Sequence, residues 1–224
     1  MNMNGAKKLF SISGFPIYVH FSFLILAAVF IFREFGDGIS QHLAKLTWLP
    51  VLFVSIVVHE LGHAIAIRKF GYGQSKLLLW GMGGLCINRR RYKPLDGLKV
   101  SLAGPAFGML LGLPFIPLMF FDLGHIVNSA VWGMIFVNIG WSIANLLPIF
   151  PLDGGRALFY GLRHFRNYTA DKAARRAGLV GLILLVPVLL YAIMTVQIFL
   201  ILIAFFIGQT AYQAYRHGHG ALQL

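Results

Sequence analysis

The sequence predicts a largely helical chain that crosses a membrane several times, and three features point there. Its 224 residues are 58% hydrophobic and only 12% charged, about half the charged share of an ordinary soluble domain. Mean hydropathy is +0.76, and several apolar stretches approach or exceed the roughly 20 residues that span a hydrocarbon core. The lysines and arginines gather on alternate connections, which sets an orientation. The expected class is an all-α polytopic membrane protein of about six transmembrane helices with a short cytoplasmic-side β segment.

The first apolar stretch, 15–32, follows Lys7 and Lys8. No small-residue cleavage site closes it, so it reads as a retained span rather than a removed leader. Further spans are expected at 46–67, 98–121 and 129–150. The apolar run 177–208 would make one helix about 48 Å long, too long for a single crossing of about 30 Å. Thr195 and Gln197 offer a turn, so it is divided into 177–194 and 196–213. Gly71 to Asn88 is too rich in glycine to cross. Leu77–Trp80 and the following Gly81-Met82-Gly83-Gly84-Leu85-Cys86-Ile87 read as one or two short strands.

With the N-terminus in the cytoplasm, all the lysines and arginines except Arg33 and Lys45 fall inside, as the positive-inside rule requires. The C-terminus is then cytoplasmic as well. The net charge of +12 is met by anionic lipid headgroups, so no nucleic-acid partner is expected. Cys86 is the only cysteine. An intrachain disulfide is excluded, and the thiol reads as inert.

Of the seven acidic residues, Glu60 lies within an expected span and Asp153 just beyond the end of another. A carboxylate at the centre of a membrane helix costs about 2.5–3.5 kcal/mol and normally has a partner. Glu60 belongs to His59-Glu60-Leu61-Gly62-His63. Histidines at i and i+4 share a helical face, can bind one metal ion together, and leave the adjacent glutamate in reach of the reacting water. Catalytic zinc needs a third protein ligand and an open position. Asp153 is nominated as the only other acid near membrane depth, and topology supports it, because its span and that of Glu60 both run inward and end at a similar depth. One Zn2+ per chain is therefore expected, held by His59, His63 and Asp153, with Glu60 as catalytic carboxylate. Taken singly, the histidines could be satisfied core residues and Asp153 a turn cap.

Asn145, two turns before Asp153, could donate a hydrogen bond to a developing oxyanion; an interhelical hydrogen bond is the alternative. Asn138 and His20 read as packing residues, and Ser55, four before His59, as facing the interior. Gly104, Gly108 and Gly112 share a face as a close-packing seam.

With these motifs in hand, the chain resembles the site-2 protease family of intramembrane zinc metalloproteases. The resemblance rests on Val58-His59-Glu60-Leu61-Gly62-His63-Ala64 and on Asn145-Leu146-Leu147-Pro148-Ile149-Phe150-Pro151-Leu152-Asp153-Gly154-Gly155-Arg156. It is weaker from Gly14-Phe15-Pro16-Ile17 through Ala103-Gly104-Pro105. It implies a single transmembrane metalloprotease domain over 1–224, with zinc on His59, His63 and Asp153, Glu60 as acid and base, and Asn145 at the reacting carbonyl. It also implies that the segment holding Gly83, Gly84 and Leu85 pairs, as an edge strand, with an unwound substrate. Family members cut single-pass membrane proteins within or near the bilayer, in regulated intramembrane proteolysis. The expected location is the cell membrane, multi-pass, with the active site near the cytoplasmic side. Family members often carry Asn where this chain has Gly108. The loops 33–45 and 122–128 leave no room for a PDZ domain and no CBS domain follows Tyr212, so a minimal member is expected. The rival readings are a non-enzymatic metal-binding or transport protein, for which Glu60 would be dispensable, and a pseudoprotease that binds clients uncut. Oligomeric state is not legible.

Overall fold

The computed structural model describes residues 5–31 and 46–221. Arg33, Lys45 and the loop 33–45 lie outside them, as does position 32, where the first expected span ends. The chain divides into two compact units. One comprises Met1–Arg90 with Ala103–Ala144, the other Arg91–Leu102 with Asn145–Leu224.

The first unit begins with a hairpin, β1 (Ala6–Ile12) and β2 (Phe15–His20). Its two-residue turn, Ser13-Gly14, has positive φ at both positions, the type I′ arrangement whose twist suits paired strands. β2 runs parallel to β3 (Lys76–Trp80), with Ile17 opposite Leu77, and β3 pairs antiparallel with β4 (Gly83–Ile87). The strand order is β1-β2-β3-β4. The β3–β4 hairpin agrees with the strands expected between Gly71 and Asn88.

β2 corrects the expectation of a helical span over 15–32. Residues Phe15-Pro16-Ile17-Tyr18-Val19-His20 are aromatic and β-branched, which suits a pleated, half-buried surface. Phe15 and Ile17 are fully buried while Pro16 between them and Tyr18 after them are half-buried, an alternation with the strand period of two. Among the described residues of that stretch only Ser22–Ile31 (α1) is helical, and those 10 residues reach about 15 Å.

The long helix α2 (Trp48–Lys69) follows. Its Val51, Leu52, Ile56, Val57 and Ala64 join Phe15, Ile17, Phe23, Leu77 and Leu79 in one hydrophobic core. Helix α3 (Pro94–Gly112) continues through two 3₁₀ turns to Phe120. Helix α4 (His125–Ile135) passes through a π turn, Phe136–Gly140, into α5 (Trp141–Asn145).

The second unit holds the first turns of α3 with α6 (Asp153–Phe165), α7 (Ala170–Met194) and α8 (Ile198–His217). Thr169 caps α7 by accepting a hydrogen bond from the Lys172 N–H. The last apolar run is broken at Thr195–Gln197, where Val196 has positive φ, as expected, although α8, over the sixth expected span 196–213, is not among the helices long and apolar enough to cross. Small residues let α7 and α8 close up. A side chain at Gly178 would meet the Ala211 carbonyl and the Tyr215 amide.

Among the described residues, four helices are long and apolar enough to cross a membrane: Trp48–Lys69, Pro94–Phe120, His125–Asn145 and Ala170–Met194. They correspond to the spans expected at 46–67, 98–121, 129–150 and 177–194.

Candidate metal centre

Ser55, His59 and His63 follow one another at four-residue intervals, so they line one stripe of α2. All three are buried, as is Glu60. The Nε2 atoms of His59 and His63 lie 3.3 Å apart, and their rings stand at 75° to each other. Two nitrogens on a tetrahedral zinc, each about 2.0–2.1 Å from the ion, would be roughly 3.3–3.4 Å apart. The pair therefore has the spacing of two ligands of one ion.

One nitrogen from each imidazole and a carboxylate oxygen of Asp153 lie within 4.8 Å of one another. Two imidazoles and one carboxylate are a donor set that zinc accepts, with its fourth position left to water or substrate.

Glycines give the histidine rings their room. A Cβ on Gly104 would run into the His63 imidazole, and one on Gly108 would strike Ser142 Oγ and come within 3.7 Å of His59 Nδ1. At Gly112 it would meet Ile139 and Asn138. The expected packing seam is thus present, and two of its glycines also back the proposed ligands. On α2 itself, Gly62 closes on the Ala103 carbonyl and Phe107.

Gly84 has a related role. A Cβ there would collide with the Glu60 carboxyl group, so β4 passes directly beside it. In the β3–β4 ladder Gly83 faces Trp80, Gly84 faces Leu79 and Leu85 faces Leu78. Among the described residues β4 is an edge strand, since β3 is its one neighbour. The sequence showed the Gly83-Gly84 pair, but only the fold shows what it approaches.

Behind the histidines, Asn138 Nδ2 donates to Ser55 Oγ at 2.7 Å and to the Met134 carbonyl at 2.8 Å. Its Oδ1 is buried without a partner. Asn138 sits in the π turn, a distortion frequent near functional sites. It ties α2 down one turn before His59, consistent with the packing role expected for it.

Asn145 ends α5 and is half-buried. Asp153 opens α6, and the next two residues hold the helix start against the preceding turn, Gly154 on the Leu146 and Leu147 carbonyls and Gly155 on Ile149 and Phe150. His20 bonds locally to Ser22, as a packing residue would.

Comparison with known proteins gives a consistent result. The model of peptidase family M50 matches residues 47–131 and 121–188. A zinc metalloprotease of Methanocaldococcus jannaschii is 32% identical over 210 residues, covering 92% of this chain and 59% of that protein. Rip3 of Mycobacterium tuberculosis is 30% identical over 200 residues, 82% of this chain and 51% of that protein. The chain thus spans between half and three-fifths of the length of these curated relatives. The solved structure of a site-2 protease from Methanocaldococcus jannaschii superposes with a TM-score of 0.66 at 29% identity, covering 94% of this chain and 95% of that one.

Proposed function

We propose that this chain, which belongs to peptidase family M50, is an intramembrane zinc endopeptidase that hydrolyses peptide bonds within or near the transmembrane segment of single-pass membrane proteins. The observation that carries the proposal is the buried His59–His63 pair at ligand spacing with Asp153 completing a three-ligand set and Glu60 on the same helix.

His59, His63 and Asp153 would hold the zinc. Bound there, zinc supplies Lewis acidity, making a water more acidic and polarising a peptide carbonyl. Glu60 takes a proton from the attacking water and returns it to the leaving amine. Burial of Glu60 keeps that carboxylate out of bulk solvent and beside β4, where an extended peptide would lie. Asn145 would donate from its side-chain amide to the carbonyl oxygen as charge builds there.

A helical substrate hides its carbonyls in its own hydrogen bonds and must unwind before it can be cut. The free edge of β4, at Gly83, Gly84 and Leu85, can replace those bonds by strand addition. Helix-breaking residues near the scissile bond should therefore promote cleavage. Basic residues on one set of connections support a cell-membrane protein with both termini in the cytoplasm and the site near that face.

The test pairs metal analysis with cleavage of a model transmembrane substrate in liposomes. Wild type should carry zinc and cut. Glu60→Gln should keep zinc and lose cleavage by about 10²–10⁴-fold. Asp153→Ala should lose zinc. Native-rate cleavage by Glu60→Gln would sink the role given to Glu60, and full zinc in Asp153→Ala would remove Asp153 from the ligand set.

A further inference from the structure

A second feature lies in the α7–α8 hairpin, among residues that the proposed chemistry does not use. The two helices leave between them a groove of about 430 Å3. Its floor is Leu185 and Ala204, only 8% and 6% exposed, while Val186 and Phe205 on its walls are 54% and 57% exposed. It is a notch in the helix pair rather than a flat apolar face. Its polar groups, Gln209 and Tyr212, both come from the C-terminal half of α8.

The hairpin is antiparallel, with Gly178 near the start of α7 packed on Ala211 and Tyr215 near the end of α8. That end is strongly basic, with Lys172, Arg175, Arg176 and Arg216 all exposed. Two of these continue the groove by helical register. Arg175 lies two turns before Leu182, which lines the groove, and Arg216 one turn after Tyr212. The acid in that region, Asp171, accepts a hydrogen bond from the His219 amide. The opposite end, Met194 to Gln197, carries no charge.

We propose that this groove binds one anionic phospholipid, an acyl chain lying in the notch and the phosphate held by Arg175 and Arg216. Arginine matches phosphate oxygens in a forked geometry, and basic pockets between membrane helices suit anionic headgroups. The lining from Leu182 to Leu189 runs about 10 Å along α7, apolar along that length and followed at one end by basic groups, the pattern of a hydrocarbon chain that ends in an anionic head.

The experiment uses purified full-length protein, stripped of lipid in detergent and offered phosphatidylglycerol or phosphatidylcholine in mixed micelles. Bound lipid is counted by native mass spectrometry. One phosphatidylglycerol should be retained about 30-fold more tightly than phosphatidylcholine, whose choline already neutralises its phosphate, because two arginines favour a headgroup of net negative charge, and inorganic phosphate should not displace it. The double variant Arg175→Ala/Arg216→Ala should lose the headgroup preference. Gly208→Leu should exclude both lipids, and its Cβ is accommodated, since it would meet only Leu185 at 3.7 Å. Equal retention of the two lipids, displacement by phosphate, or unchanged retention in either variant overturns the proposal. So does a groove that holds no lipid but crosslinks to an added transmembrane peptide.

Discussion

Helices α2 and α7 are both long enough to cross a membrane, yet they are treated in opposite ways. Inside the protein, 61% of the apolar stretch of α2 is buried, against 28% for α7. The buried helix carries two histidines and a glutamate, while from Leu179 to Met194 α7 carries no ionisable group but Tyr191. In a water-soluble protein the more apolar helix would be the buried one. In lipid, a leucine gains nothing by leaving hydrocarbon, whereas an ionisable group there is costly and seeks protein or water. The fold therefore spends its interior on the polar helix and leaves the apolar one facing outward. In this pair of helices burial goes with the ionisable side chains and exposure with the apolar ones.

The sharpest way to break this contrast is to truncate one side chain on each helix. His63→Ala should abolish zinc retention and reduce cleavage by at least the 10²–10⁴-fold that acid–base assistance alone supplies. Leu190→Ala on α7, at a side chain 55% exposed, should leave both unchanged. Metal analysis and a cleavage assay on the two variants decide it. Equal effects would mean that burial does not separate the helices by role.

A smaller effect comes from the glycines. Gly104→Val should drive its side chain into the His63 ring at Nε2, displacing that nitrogen, and weaken zinc binding by at least the roughly 10–100-fold that changes beside a ligand commonly cost. A Cβ on Gly161 of α6 would have nothing within 4 Å of it. Gly161→Ala should instead stabilise by roughly 0.5–1 kcal/mol through helix propensity. Zinc titration and thermal melts would register opposite outcomes for two glycines that look alike in sequence.

That pair also shows where reading the sequence stops. The histidine pair was legible because helical spacing alone puts His59 and His63 on one face. The division at Thr195–Gln197 was legible because length alone excludes a single crossing, and the β3–β4 hairpin because glycines punctuate it. β2 was not, since an apolar stretch such as 15–32 scores alike whether its first residues are strand or helix, and strand pairing with Leu77–Leu79 depends on residues sixty positions away. The service of Gly84 to Glu60 and of Gly104 to His63 depends likewise on partners from other elements. The π turn at Phe136–Gly140 left no mark in a run of ordinary apolar residues.

A modest effect is expected behind the site. Ser55→Ala removes the acceptor of the 2.7 Å bond from Asn138, but Nδ2 keeps the Met134 carbonyl. Such interhelical hydrogen bonds average about 0.6 kcal/mol in membrane proteins, so the melting temperature in detergent should fall only slightly and zinc should remain bound. A loss of several kcal/mol would show that the pair anchors α2 far more firmly than one hydrogen bond can.

The smallest effect lies outside the membrane helices, in the connection before α4, where solvent rather than lipid sets the terms. Asp122 accepts hydrogen bonds from the Gly124 amide and from Asn128 Nδ2, both at 3.1 Å. The Gly124 N–H first, and then Asn128, favour the charged carboxylate and hold its pKa below the ordinary value of 3.8. A carboxyl group with a depressed folded pKa contributes stability that is complete above its unfolded pKa and fades as pH falls through the folded one. The contribution should therefore begin to decline below about pH 4, and because Asp122 is fully exposed its size should be slight. Asp122→Asn should flatten that part of the pH profile while leaving the melting temperature near neutral pH almost unaltered. Thermal melts of both proteins from neutral pH into that acid range would measure it. A profile unchanged by the substitution would assign the acid sensitivity to other carboxylates.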